Sequence, residues 1–203
     1  MTENWDDVWK DFKELNFFGK MLSQAHQNTL KKVSQTFGLS AKTKVLDVGC
    51  GYGETLANLR AVGLTNSIGI DNSENSLRLC MKRNFLIGQD VFLMDATDMK
   101  FADQNFDLVI SHGMLEHFEG AVFKEMIQEM CRVSRKYVLI FQPNHFSLFS
   151  KAMLTARRRP VEEFTYSKSD YIGEFERFNF TLKKDYDINF GEEFVLLFER
   201  VGK

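Results

Sequence analysis

The stretch VLDVGCGYGE, residues 45–54, decides how this chain is read. A branched apolar run encloses an acid, Asp47, and glycines follow at 49, 51 and 53. Glycine loses more conformational freedom on folding than any other residue, so glycines this close together mark a backbone that turns sharply or is closely approached. The run before them has the composition of a buried strand, and the residues after them, 53–63, have a helical pattern. A glycine turn between a strand and a helix is where an open sheet binds its ligand. The first N–H groups of the following helix point at the same place.

The same alternation continues outward. KVLDV (44–48), SIGID (67–71), VFLMD (91–95), FDLVIS (106–111) and YVLIFQ (137–142) are short, apolar and rich in branched residues, the pattern of strands buried on both faces. Helical stretches at 53–63, 73–84 and 119–135 separate them. Strand–helix alternation predicts a parallel sheet with right-handed crossovers and helices on both faces. The end of the chain differs: TLKKDYDI and EFVLLFERV flank NFGE with no helix between them, which predicts an antiparallel hairpin. Residues 1–37 read as helical, with Trp5, Val8, Trp9, Phe12 and Leu15 on one face and Gly19 as a candidate break. The expectation is a single domain over 1–203, with an N-terminal helical cap (1–37) and a variable insert or lid (143–166).

Composition narrows the function. The chain has 203 residues, 44% hydrophobic and 27% charged, the profile of a soluble globular protein. Its 26 Lys+Arg nearly balance 28 Asp+Glu, so no net field exists to hold a polyanion, and no nucleic-acid partner is expected. The opening MTENWDDVWKDF carries acids where a signal peptide needs an apolar core, and no run is long enough to span a bilayer. Cys50, Cys80 and Cys131 are odd in number and far apart, which reads as reduced thiols in a cytoplasmic protein.

Asp71 is the next acid, at the tip of the second strand. From there a carboxylate can hold both hydroxyls of a ribose; the plain alternative is a cap for the helix near Ser73. A nicotinamide oxidoreductase is one competing reading. Its G-x-G-x-x-G fingerprint requires glycine at 54, where this chain has Glu54. Asp47 and Glu54 form an acidic surround that suits a positively charged ligand better than a pyrophosphate.

These residues resemble a known family, the class I S-adenosylmethionine-dependent methyltransferases, and in particular the small-molecule group that methylates quinones and sterols. The likeness covers 40–145 and, in outline, the terminal hairpin. VLDVGCGYGE is similar to the family's first motif, GIDNSENSL (69–77) to its second, MDATDMKF (94–101) to the adenine-binding stretch, and FDLVISHGMLEHF (106–118) and IFQPNHFS (140–147) to the ends of the fourth and fifth strands. The resemblance implies a seven-stranded mixed sheet in a three-layer Rossmann-like α/β fold, with the last strand antiparallel. It implies S-adenosylmethionine as cofactor and S-adenosylhomocysteine as product. The implied cofactor residues are Asp47, Gly49, Cys50, Gly51, Gly53, Asp71 and Asn72, then Asp95 on the adenine amine and Ala96 on the ring. Ser111, His112 and Gly113 would lie under the methionine part. A methyltransferase-like subunit that binds the cofactor without catalysis is a second competing reading.

Methyl transfer needs alignment and exclusion of water, and a base only where the acceptor must lose a proton. His112 and His145 are the candidates for that base. Glu116 and His117 read as a helix start that satisfies backbone groups. No metal site is expected, because no histidine pair has helical spacing with a third ligand evident. SHGM (111–114) lacks the proline–aromatic signature of nucleic-acid amino-methyltransferases, and neither proline precedes a cysteine as in cytosine C5 enzymes. The insert carries Phe146, Phe149 and Met153 at helical spacing, then Arg157, Arg158 and Arg159 before Pro160. It suits an apolar or anionic small-molecule acceptor, or contact with a membrane surface.

Overall fold

Apolar residues on neighbouring strands alternate between two cores, and that alternation fixes the architecture. The computed structural model describes residues 4–10, 17–82, 90–147 and 162–202. Its strands are β1 (Val45–Val48), β2 (Ser67–Asp71), β3 (Val91–Leu93), β4 (Phe106–His112), β5 (Ser134–Pro143), β6 (Phe180–Ile188) and β7 (Glu193–Arg200). Its α-helices are α1 (Trp5–Lys10), α2 (Phe17–Phe37), α3 (Glu54–Ala61), α4 (Glu74–Met81), α5 (Gly120–Val133) and α6 (Lys168–Glu176). The strands form one sheet in the order β3-β2-β1-β4-β5-β7-β6. β1 to β5 are parallel; β7 runs antiparallel to both β5 and β6.

Successive strand side chains point to opposite faces. Leu46, Val109, Val138, Ile140, Leu196 and Phe198 join one core with Phe123 and Met130 of α5 and Tyr171 and Phe175 of α6. Val45, Leu108, Ile110, Leu139, Val195 and Leu197 join the other, with Leu30 and Val33 of α2, Leu56 and Leu59 of α3, and Leu77 and Cys80 of α4. This is the seven-stranded mixed α/β sheet expected from the sequence, with its hairpin at the edge.

The structure departs from expectation in places. β3 is not buried on both faces: it is an edge strand, and Phe92 and Leu93 are exposed. Gly19 does not divide the N-terminal region, because α2 runs through it. Phe12, Leu15, Phe149, Met153, Arg157, Arg158, Arg159 and Pro160 lie outside the described residues. Helix α6, for which the sequence reading set no bounds, begins at a capping box: Ser167 accepts from the Asp170 N–H while the Asp170 side chain accepts from the Ser167 N–H. The cysteines are free and buried.

Candidate active site

The glycine turn closes by three routes. Gly49 and Cys50 both donate their N–H to the Ile70 carbonyl at 2.9 Å, tying the turn to β2. Gly53 donates to the Cys50 carbonyl at 2.9 Å. Gly51 donates to Oδ2 of Asp71 at 2.8 Å. Gly49, Gly51 and Gly53 have φ of 71°, 52° and 83°, the left-handed region that glycine enters without strain. Close approach is the second reason. A Cβ on Gly49 would sit 2.6 Å from Met114 Sδ, and one on Gly51 would sit 3.0 Å from the Trp9 ring.

Asp71 is not the helix cap. Ser73 caps α4, accepting from the Ser76 N–H, while Oδ1 of Asp71 accepts from the Ser73 N–H at 2.9 Å. Both Asp71 oxygens therefore hold backbone, and the Ser76 hydroxyl also engages the carboxyl. Burial pushes the Asp71 carboxyl above its ordinary value against the pull of these hydrogen bonds. Asp47 has no such support: both its oxygens are buried without a hydrogen-bond partner among the described residues. Burial, with the nearby Asp71 charge, pushes its carboxyl up to about 8.

Two cavities meet at Gly49, Gly113 and Trp9. The first, of about 70 Å³, is lined by Ile70, Asp71, Asn72 and Ala96, together with Trp5 and Trp9. Helix α1 reaches this position through Asp6, which accepts from the Ser73 hydroxyl at 2.6 Å and the Asn75 N–H at 3.0 Å. Asp95 lies beyond Asn72, in a third cavity of about 490 Å³. Its Oδ1 accepts from the N–H and hydroxyl of Thr97, both at 2.8 Å. The second cavity, of about 280 Å³, is lined by Cys50, Glu54, Thr55, His26 and His112. There Thr55 Oγ1 and His112 Nδ1 are 3.3 Å apart, and His26 Nε2 is 2.5 Å from Glu193 Oε2. Burial and the neighbouring His26 hold the His112 imidazole neutral, its pKa down at about 3. Burial opposes the charged form of Glu193, but His26, His112 and the Asn189 amide together outweigh it and hold that carboxyl below its ordinary value.

The expected site residues thus divide. Gly49, Cys50, Gly51, Asp71, Asn72, Ala96, His112 and Gly113 line the two cavities, Gly53 closes the turn, and Asp47 is buried within β1 and lines none of the cavities. Ser111 is fully buried within β4 and lines none of these cavities. His145 also lies away from them, 3.6 Å from Glu163. His117 is structural: Nδ1 meets the Glu162 carbonyl at 2.8 Å, and its ring meets Trp5 edge-on. Sequence reasoning missed His26 and Glu193, which stand 167 residues apart and belong to no local motif.

Residues 45–137 match a family model described as a methyltransferase domain. The chain is 30% identical over 114 residues to a phthiotriol/phenolphthiotriol dimycocerosates methyltransferase of Mycobacterium tuberculosis, covering 56% of this chain and 41% of that protein. It is 32% identical over 120 residues to a ubiquinone biosynthesis O-methyltransferase of Aromatoleum aromaticum, covering 58% of this chain and 47% of that one. The chain thus spans less than half the length of these relatives. Among solved structures, magnesium protoporphyrin IX methyltransferase from Synechocystis, bound to S-adenosylhomocysteine, superposes with a TM-score of 0.70 at 18% identity, covering 97% of this chain and 93% of the other. That likeness shows a shared fold.

Proposed function

We propose, since the chain belongs to the class I S-adenosylmethionine-dependent methyltransferase family, that it binds S-adenosylmethionine at the glycine turn and methylates a small-molecule acceptor in the second cavity. The observation that carries this reading is the Asp47 carboxylate, buried and without a hydrogen-bond partner among the described residues. A buried acid in that state is costly unless a cation or donor reaches it. A ligand bearing an ammonium and a sulfonium fits that need, and a dinucleotide pyrophosphate does not.

The bound cofactor supplies an electrophilic methyl group on sulfur. This chain's residues do the rest. Asp71 and Asn72 line the first cavity, where the ribose would be held, and Ala96 offers a flat apolar wall for the base. Gly49 and Gly113 border both cavities and, lacking side chains, leave the passage between them open. Trp5 and Trp9 cover the first cavity and keep water from it. The neutral His112 imidazole lines the acceptor cavity and can hydrogen-bond an acceptor there, while a pKa of about 3 makes it too weak a base to hold the acceptor's proton. His145, the other candidate, does not line that cavity. The acceptor is a small molecule of apolar or anionic character in the cytoplasm. No helix among the described residues is long and apolar enough to cross a membrane.

Calorimetric titration tests the reading. S-adenosylmethionine and S-adenosylhomocysteine should bind with one-to-one stoichiometry, and NAD should not. Incubation with methyl-labelled cofactor and a fractionated metabolite extract should then yield a labelled small product. Binding of NAD alone would replace methyl transfer with hydride chemistry.

A further inference from the structure

His26, His112 and Glu193 come from the middle of α2, the end of β4 and the start of β7. Each offers one donor atom, and the three atoms lie within 4.8 Å of one another. A simple ion pair accounts for His26 and Glu193 but leaves His112 unexplained. The two imidazoles stand edge to face with centroids 4.3 Å apart, and Phe141 closes the same aromatic group. His26 is buried, and its Nδ1 has no hydrogen-bond partner among the described residues.

We propose that His26, His112 and Glu193 form a binding site for a divalent transition metal of the zinc class, open to the second cavity. Two neutral imidazoles and a carboxylate are a ligand set of catalytic zinc sites, which keep a further position for water or substrate. Nitrogen donors favour zinc, cobalt and nickel over magnesium or calcium, which take oxygen ligands. Two of the three ligands, His112 and Glu193, have the supporting contacts that such sites use. Thr55 engages Nδ1 of His112, so that with Nδ1–H as donor the other ring nitrogen keeps its lone pair. The Asn189 amide donates to Glu193 Oε2 at 3.1 Å and fixes the carboxylate. Tetrahedral bonds of about 2.0–2.2 Å place neighbouring ligand atoms about 3.4 Å apart. The His26–Glu193 contact, now 2.5 Å, would open by about 1 Å to admit the ion.

His26 and His112 line the acceptor cavity, so the open position faces it. If the methyl-transfer reading holds, on which this role alone rests, the ion would hold an oxygen of the acceptor and favour its deprotonated form. That selects phenols, enols and hydroxy acids among small molecules.

The test uses the full chain after dialysis against a chelator. Titration with Co²⁺ should give visible absorption bands saturating at one equivalent, and Zn²⁺ should displace them. His26→Gln and Glu193→Gln should each weaken Zn²⁺ binding by more than tenfold, and Thr55→Val, which removes only a supporting contact, by about tenfold. Circular dichroism confirms that each variant is folded, and the Thr55 variant serves should a ligand variant fail to fold. Absence of a cobalt spectrum, or Zn²⁺ affinity unchanged in the folded variants, overturns the site. These titrations contain no S-adenosylmethionine, and cofactor binding is titrated separately in chelator. Metal binding without cofactor binding would leave the site standing and remove the methyl-transfer reading.

Discussion

The two cavities that meet at Gly49 and Gly113 are built in opposite ways. The first is made from the tips of neighbouring strands. Gly49, Asp71 and Ala96 each follow or end a strand of the parallel sheet, and the Gly51–Asp71 bond spans only 20 residues. The second is lined by α2, α3, the glycine turn and the mouth of β4, and behind it the His26–Glu193 contact to the start of β7 spans 167 residues. Their charge differs too. The first is lined by the acid Asp71, with the buried carboxyl of Asp47 close enough to be raised by it, whereas His112, in the second, is an imidazole held neutral. A site made of strand tips is written in short motifs, and a site made by helix and hairpin packing is not. The expected outcomes below test whether the two sides are independent.

Asp71→Ala should have the largest effect, and on the first side alone. It removes the acceptor for Gly51 and Ser73 as well as the proposed ribose contact, so two backbone donors lose their partner. Hydrogen bonds to a charged group contribute about 1.5–3 kcal/mol, so cofactor affinity should fall by about 10- to 150-fold. Stability should also fall, by about 1–3 kcal/mol, for the unsatisfied donors. Calorimetry and denaturant unfolding measure both. An equal loss of Zn²⁺ affinity at the second side would break the division between the cavities, since Asp71 touches none of its ligands.

The same division explains what the sequence disclosed. The strands were legible because branched runs alternate with helices, and the glycine turn because three left-handed residues have few substitutes. The edge position of β3 was not, because exposure depends on a neighbour strand that the local pattern does not name; Phe92 and Leu93 look like core in sequence. Asp71 was legible as a site residue but not as the clamp on the turn. His26 carried no signal at all: it is one polar residue in a 21-residue helix. Glu193 begins a strand whose next five residues are buried, which suggests only where the strand enters the core. Helix α6 had a readable start in Ser167 and Asp170, the spacing of a capping box.

Asp47 sharpens the contrast in charge. Its ordinary value of 3.8 applies when the chain is unfolded, and burial and Asp71 raise it to about 8 in the fold. The folded state therefore binds a proton that the unfolded state has released. The stability contribution is fully present below the unfolded value and is lost as pH rises toward 8, with a slope of at most about 1.4 kcal/mol per pH unit. The thiol of Cys50 stays protonated through this window, because its hydrogen bond with Cys80, burial and the two nearby acids raise its pKa well above the ordinary value. Ligand-free protein should thus lose stability between pH 5 and pH 7.5, and Asp47→Asn should remove that part of the slope. Chemical unfolding of both proteins across the window measures the difference. Parallel profiles would mean that Asp47 ionises without penalty, and the argument for a cationic ligand would go with it.

Trp9 gives the smallest effect and the closest test, because it belongs to both sides. Its ring lies over Gly51, is 5.7 Å from the Tyr52 ring, and lines both cavities. Full truncation of a buried tryptophan costs about 3–5 kcal/mol. Trp9 is only half-buried and sits on a six-residue helix, so Trp9→Ala should cost less than that. An aromatic contact contributes about 0.5–1.5 kcal/mol beyond its area, so cofactor affinity should fall about threefold to tenfold. The first cavity is about 70 Å³ with the ring in place. The ring lines both cavities beside the glycine turn, so removing it should cost the contact a bound ligand makes with it. A gain in affinity would mean that Trp9 occupies the ligand's own space and that α1 acts as a plug. A stability loss of the full core size would mean that the ring is packing for the glycine turn and covers neither cavity.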